Sequence, residues 1–415
     1  MATTQPGRII SLDIIRGIAV MGILSVNIVG LGMMQGAYFW PTLNGFDALG
    51  DRIMYLVNFV LIDGKMRSLF SILFGASLVL ICEKALEKGQ SPAKTHYARM
   101  VTLLLIGLAH FYFLWWGDIL SHYALIGLVA FLFWKRSPKV LLIWSIIFLV
   151  LNALMMIGGS FDMARAIGAD PEESQQAAAF AQMAKGAPPE ALAATAAAVA
   201  NPIAHLMHMI DNQLLQPFMV SIFLLPETLG LMLLGMATYK LGFLTGEMRD
   251  SVYKKWAWIA LGGGIVFTAF VAYIIHVHDY APPWPMIGRN GATAWTRAPM
   301  ALGYAAFLIL AFRNIGWLGE RVAAVGRAAF TNYLGPTLIT TPIFFGFGGG
   351  LFNELSRGEL WLFFVPALWA LMLLWSKPWL DRHRYGPLEW AWRSMARGRI
   401  EPNRKALPSG VAATA

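Results

Sequence analysis

The 415-residue chain is 57% hydrophobic and only 13% charged, with a mean hydropathy of +0.58. That balance excludes a string of soluble domains and points to a polytopic membrane protein. The net charge of +9 sits in short basic clusters between apolar runs, as topology signals do, which argues against a nucleic-acid partner. The one cysteine, Cys82, falls in an apolar segment and supports neither a disulfide framework nor a thiolate metal site.

The apolar runs predict an all-α membrane helix bundle of about ten transmembrane helices. They lie at about 10–34, 66–82, 100–116, 119–134, 140–157, 217–239, 256–276, 299–313, 323–345 and 359–375. Each is near the length that a hydrocarbon core of about 30 Å demands. A further run at 53–62 is too short to cross and reads as interfacial or re-entrant. The first run is long and lacks a small-residue cleavage site, so it is expected to stay as the first helix. Placing the basic loops on the cytoplasmic side leaves eight of the 32 Lys and Arg outside: Arg52, Lys65, Arg67, Arg165, Lys185, Arg289, Arg297 and Arg357. Both termini are then cytoplasmic.

Four regions follow. Residues 1–157 form an N-terminal five-helix half, 158–203 an extracytoplasmic polar insert, 204–376 a C-terminal five-helix half and 377–415 a cytoplasmic basic tail. The insert carries Asp170, Glu172, Glu173 and Glu190 and then an Ala-rich run at 191–200, with helical propensity but little to bury. It reads either as a mobile helical cap over an outward-facing cavity or as a tolerated loop insertion. The tail, RHRYGPLEWAWRSMARGR, is basic and aromatic and suits a segment lying on anionic headgroups. No long internal repeat is visible, which weakens an inverted-repeat transporter.

Polar residues at membrane depth are expensive and mark candidate sites. Asp13 and Arg16 lie three residues apart on one face of the first span, with Ser11 as a candidate cap. They form either a local ion pair or a cationic mouth for a phosphorylated ligand. Asn27 lies about three turns deeper. Asp63, Lys65 and Arg67 enter the second span at its outer end. There they snorkel or bind an acidic substrate or lipid headgroup. Gly64 allows the turn before that helix, and Ser68, Ser71, Gly75 and Ser77 let a neighbouring helix approach.

The stretch GLAHFYFLWWGDILSHYALIG places His110 about 9 Å inside an aromatic belt of Trp115 and Trp116. Asp118 follows at the Gly117-Asp118 turn, and His122 lies one turn into the next span. Asp118 reads either as a helix cap or as the carboxylate that orients His110. A straight helix would hold the two about 12 Å apart, so the pairing requires Gly117 to end the helix. His276, His278 and Asp279 lack a fourth placed ligand, so no metal is expected. Asn332, with Pro336 and Pro342 in the ninth span, either packs a kinked helix or lines a cavity.

SLDIIRG with Asn27, DGKMRSLFSILFGA, GLAHFYFLWWGDILSHYALIG, GRAAFTNYL and GPLEWAWR together resemble the YeiB-type bacterial membrane proteins, whose C-terminal half is a named domain of unknown function. Through its N-terminal region that family is similar to the membrane acetyltransferase that acetylates heparan glucosamine from cytoplasmic acetyl-CoA. The acetyltransferase has a functional His shortly after its Asn, where this chain reads NIVGLGMMQGAYFW, with Tyr38 near that spacing. His110 with Asp118 is the replacement base.

The resemblance implies a multi-pass protein of the bacterial inner membrane. It would move an acyl group from cytoplasmic acetyl-CoA or another acyl-CoA to a glycan or lipid-linked acceptor. Asp13 and Arg16 would hold the donor, Asn27 would line the transfer path, and His110 and Asp118 would be catalytic. Lys65, Arg67 and Asn332 would serve the acceptor. A transporter or flippase of an amphipathic metabolite, and a non-catalytic membrane scaffold, are the alternatives.

Overall fold

The structure is a computed structural model and describes residues 9–405. Arg8, counted above among the cytoplasmic charges, and the tail end at 406–415 lie outside the described residues. Among the described residues the fold is helical, with a single isolated bridge between His383 and Arg404.

The axis of the bundle is α1 (Ile10–Gly32), with apolar side chains such as Ile15, Ile28 and Leu31 buried around it, as expected of a helix enclosed by others. Its Ser11 does not cap it; the hydroxyl donates to the Leu244 carbonyl at 2.8 Å. After a short α2 (Gln35–Phe39) comes α3 (Leu49–Val57). The 53–62 run is not a separate interfacial or re-entrant piece. It passes through a π-turn and the Asp63-Gly64 break into α4 (Lys65–Glu87), forming one path, Leu49–Glu87, of 39 residues. Gly64 has φ +73°, where a side chain would be strained, so the break falls at the residue able to make it.

Next, α5 (Pro92–Phe113) starts at Ser91, whose hydroxyl accepts from the Lys94 N–H, with Pro92 in the first helical position. Then come α6 (Leu120–Ala130) and α7 (Pro138–Arg165), the latter running well past the expected end at 157. The polar insert is built from α8 (Gln175–Ala184) and α9 (Pro189–Ala198), followed by α10 (Pro202–Gln213). It is a cap bonded to the end of the bundle where α1 finishes. Ala187 N–H donates to Leu43 O and Gly346 N–H to Val199 O, both at 2.9 Å, and Phe180 packs on Trp40.

The second part comprises α11 (Gln216–Lys240), α12 (Asp250–Trp256), α13 (Gly263–Val277), α14 (Trp284–Met286), α15 (Arg297–Ala311), α16 (Trp317–Arg327), α17 (Ala329–Phe344), α18 (Arg357–Glu359), α19 (Val365–Arg382) and α20 (Pro387–Arg397). Among the described residues, seven helical stretches are long and apolar enough to cross a membrane: Ile10–Gly32, Leu49–Glu87, Pro138–Arg165, Gln216–Lys240, Asp250–Val277, Ala294–Ala311 and Arg357–Arg382. The chain is therefore a multi-pass membrane protein. The other three expected spans take different forms. The 100–116 span lies in α5, whose first turns carry Lys94 and Arg99. The Leu120–Phe133 helix is short, and 323–345 is interrupted at Ala328 between α16 and α17.

The two parts of the chain interleave, because glycines let backbones touch. A Cβ on Gly75 of α4 would stand 1.9 Å from Met232 O, and one on Gly235 of α11 1.8 Å from Ile72 O. The tail also packs on protein. Trp392 Nε1 donates to Arg99 O at 3.0 Å, and the Glu389 carboxylate accepts from the Phe330 and Thr331 N–H groups that open α17.

Candidate functional site

Toward the end of α1 the helices part around a cavity of about 410 Å³. Its walls come from the second half of α1 (Asn27), the segment after it (Tyr38), the Asp63-Gly64 break, the turn between α5 and α6, the start of α11, and the stretch between α13 and α15. Three groups of polar side chains converge here.

The first is the pair anticipated from the sequence. His110 Nδ1 lies 2.8 Å from Asp118 Oδ1, with both side chains buried. The carboxylate can only accept, so the proton sits on Nδ1. Asp118 Oδ2 accepts from both the Ser121 N–H (2.8 Å) and its hydroxyl (2.7 Å), so the same carboxylate also caps α6. The helix ends earlier than expected. It stops at Phe113, before Gly117, with the Leu114 and Trp115 N–H groups both on the His110 carbonyl. Gly117 instead makes room: a Cβ there would meet the Trp115 ring at 2.3 Å. Nor are Trp115 and Trp116 an interfacial belt. Trp115 is buried, with Nε1 donating to Gly30 O at 2.7 Å, and Trp116 packs against Tyr38. Asp118, Trp115 and Tyr333 line the cavity, and His110 stands directly behind them, its ring edge on to Trp115 and Tyr333. His110 Nε2 is buried without a protein hydrogen-bond partner.

The second group was only half visible in the sequence. Arg67 does not snorkel; its Nη2 donates to Glu227 Oε2 at 2.6 Å. Arg297 Nη1 donates to the other oxygen, Oε1, at 3.0 Å. Asp63 is held by Arg289, with Nε–Oδ2 at 3.0 Å and Nη2–Oδ1 at 3.2 Å. Arg297 Nη2 ties the two halves together through the Arg289 carbonyl at 2.7 Å. Unpaired, each such buried charge would cost several kcal/mol, and the closed network offsets much of that. From the sequence, Glu227 is simply part of a span, and Arg289 and Arg297 fall among the outer basic residues. A lone Glu after Pro226 in an apolar helix was the available signal.

His122 forms the third group. It lines the cavity and its Nε2 lies 2.8 Å from Thr228 Oγ1, while Nδ1 is buried without a partner.

The remaining candidates lie elsewhere. Asp13 and Arg16 are paired at 3.3 Å, and Arg16 Nη2 donates to Ser77 Oγ at 2.9 Å. Arg16 is about 16 Å and Asp13 about 21 Å along α1 from Asn27, and the α1 lining of the cavity begins only at Ile23. Lys65 is buried and its Nζ is bonded to the Phe59 carbonyl, so it does not face the cavity. Asn332 donates to Val325 O (3.1 Å) and Ser376 Oγ (3.0 Å) and accepts from Trp375 Nε1 (3.0 Å), a helix-packing role. It reaches only a void of about 10 Å³, which it shares with Asn27 and Tyr333. In the 276–279 cluster, His276 Nδ1 bonds Tyr280 Oη at 3.1 Å and His278 stacks on Trp284.

Residues 238–399 match a family model described as "Protein of unknown function (DUF418)". The chain is 30% identical over 413 residues to "Uncharacterized protein YxaH" of Bacillus subtilis (strain 168), covering 95% of this chain and 96% of that protein. To "Uncharacterized protein YeiB" of Escherichia coli (strain K12) it is 29% identical over 396 residues, covering 94% and 96%. A 39.9 kDa protein from the amylase 3′ region of Bacillus acidopullulyticus is 25% identical over 421 residues. No solved structure matches.

Proposed function

The chain belongs to the YeiB-type family of membrane proteins, and we propose that it is a membrane-embedded acyltransferase working at this cavity. The observation that carries the reading is the His110–Asp118 pair beside the cavity. An imidazole fixed by a carboxylate on Nδ1 offers Nε2 as a general base. In the proposed step an acceptor hydroxyl or amine attacks a thioester carbonyl, the carbon–sulfur bond breaks, and the proton taken by Nε2 passes to the leaving thiolate. A small displacement of Trp115 or Tyr333 connects Nε2 with the cavity.

Acyl-CoA is the proposed donor, entering past Asp13 and Arg16 on the cytoplasmic side. A thioester on a long flexible arm suits the distance of about 16 Å between Arg16 and Asn27. In this reading both termini are cytoplasmic, in a bacterial inner membrane, and the acceptor is a glycan or lipid-linked molecule reached from the outer side. Arg67 and the arginines around it serve that acceptor. Lys65 and Asn332 support the walls.

A transporter reading draws on one observation: Asp13 and Arg16 lie outside the cavity, so the cavity also suits a substrate bound from one side. The test incubates purified protein in lipid with radiolabelled acetyl-CoA. Released CoA with label on protein or acceptor supports transfer. Substrate uptake into vesicles with no thiol released supports transport and overturns transfer.

A further inference from the structure

The cavity has two unlike walls. On one, Arg67, Arg289 and Arg297 converge from α4, the stretch before α15, and α15 itself. On the other, one face of α11 contributes Pro217, Val220, Phe223 and Leu224. Val220 and Phe223 are also exposed on the outside of the bundle, at 40% and 52%. This wall therefore continues from the cavity toward the lipid-facing surface.

The charges around the arginines do not balance. Three arginines, Arg67, Arg289 and Arg297, are paired with only two carboxylates, Asp63 and Glu227, which leaves one positive charge in excess among these pairs. The carboxylates are already engaged: Glu227 by two arginines, Asp63 by Arg289 at both oxygens, and Asp118 by His110 and Ser121. Spare capacity on this wall is of the donating kind. Arg67 Nη1 is buried with no partner. A guanidinium with a free N–H group matches an oxygen of a tetrahedral oxyanion, and Arg289 and Arg297 beside it add positive charge to the same wall.

Resting on the acyltransferase reading and deepening it, we infer that the cavity binds the phosphate head of a lipid, with the head on Arg67, Arg289 and Arg297 and the tail leaving along the Val220–Phe223 face of α11. The acceptor is then a phosphate-headed amphiphile that enters sideways from the bilayer. The head is held beside Asp118, and a hydroxyl or amine next to the phosphate comes within reach of His110.

The test is equilibrium binding with no acyl donor present, so failed transfer chemistry leaves it readable. Protein in phosphatidylcholine nanodiscs is titrated with dioctanoyl phosphatidic acid, dioctanoylglycerol or inorganic phosphate. The signal is the heat of binding, measured by isothermal titration calorimetry. Saturable binding of the phosphatidic acid is expected, with diacylglycerol and inorganic phosphate each at least tenfold weaker. Arg67→Gln should weaken phosphatidic acid binding at least tenfold, and Arg67→Lys less. Arg289→Gln alone strands Asp63, so the double change Asp63→Asn with Arg289→Gln is the second variant. It should lose affinity while its melting temperature stays within a few degrees of the parent. Diacylglycerol binding as well as phosphatidic acid overturns the head-group site. Equal binding of inorganic phosphate overturns the lipid source. Undiminished affinity in Arg67→Gln and in the folded double variant overturns the proposal as a whole.

Discussion

Asp118 Oδ1 stands 2.8 Å from His110 Nδ1 across eight residues that a straight helix would have spread over about 12 Å. The chain closes that gap because α5 stops at Phe113 and the Leu114 and Trp115 N–H groups share the His110 carbonyl. Trp115 then turns inward to Gly30 O, and Gly117 yields the space its ring needs. One carboxylate thus orients an imidazole and caps the following helix.

That double role predicts non-additive kinetics. His110→Ala, Asp118→Asn and the double change should each lower transfer by similar factors, in the range of about 10²–10⁴ expected for loss of a positioned base. Asp118→Ala should also cost about 1 kcal/mol of stability through the lost cap, which Asp118→Asn and His110→Ala should spare. Single-turnover rates alongside melting curves check both. Factors that multiply in the double variant would mean that the two residues act separately.

A second prediction concerns Glu227, the carboxylate shared by Arg67 and Arg297. Glu227→Gln keeps the shape but removes the charge that both guanidinium groups face. Breaking a buried pair from one side costs about 3–5 kcal/mol, because the stranded charge remains. Glu227→Gln should therefore melt far below the parent, and adding Arg297→Met should recover part of the loss. A Glu227→Gln protein with an unchanged melting temperature would show that the network carries little of the fold.

How far the sequence disclosed this depended on the range of the contact. Runs such as 217–239 and 256–276 reappear as parts of α11 and of the Asp250–Val277 path, because apolar length is a local property. His110 and Asp118 stood out because ionisable groups are scarce at membrane depth. Glu227 meets residues 160 and 70 positions away, and no periodicity reports such pairings. Arg289 lay hidden in a Pro-rich segment that reads as an outer loop yet folds back onto Asp63. Trp115 misled for the opposite reason. Its place beside a charged turn fits an interfacial belt, and only the break in α5 turns it toward Gly30.

The α4–α11 contact yields a packing prediction. Gly235→Ala places a Cβ against Ile72 O, a backbone atom that cannot move aside alone, so the helices must separate. Overpacking of this kind costs about 1–3 kcal/mol. Because α4 carries Arg67 and α11 carries Glu227, the Arg67–Glu227 contact should loosen as well. Gly235→Ala is expected to reduce membrane yield and melting temperature, whereas Gly89→Ala, which meets nothing within 4 Å but has φ +65°, should cost only about 1 kcal/mol of backbone strain. Comparable yields for Gly235→Ala and the parent would refute the tight crossing.

Orientation is testable by labelling. Lys139, Lys254 and Gln175 are all exposed, so their reactivity reports the membrane and not burial in the protein. Cysteines introduced at 139 and 254 should stay shielded from an impermeant thiol reagent in intact cells, and one at 175 should label. The native Cys82 is buried and should stay silent. Labelling at 139 and 254 with protection at 175 would invert the proposed topology.

The last prediction separates two roles for Arg16. Its guanidinium spans Asp13 at 3.3 Å and Ser77 Oγ at 2.9 Å, using two different nitrogens. A lysine keeps the charge beside Asp13 but replaces the planar fork with a compact point charge. If Arg16 only joins α1 to α4, Arg16→Lys should shift the melting temperature and leave CoA affinity alone. As the proposed donor mouth, it should instead weaken CoA binding about tenfold, equivalent to about 1.4 kcal/mol, with a small change in melting temperature. The double change Asp13→Asn with Arg16→Gln removes the pair without stranding either charge, so it tests the charge itself. That variant should fold and still fail to bind CoA. Normal CoA affinity in the folded double variant would move the donor site away from this end of α1.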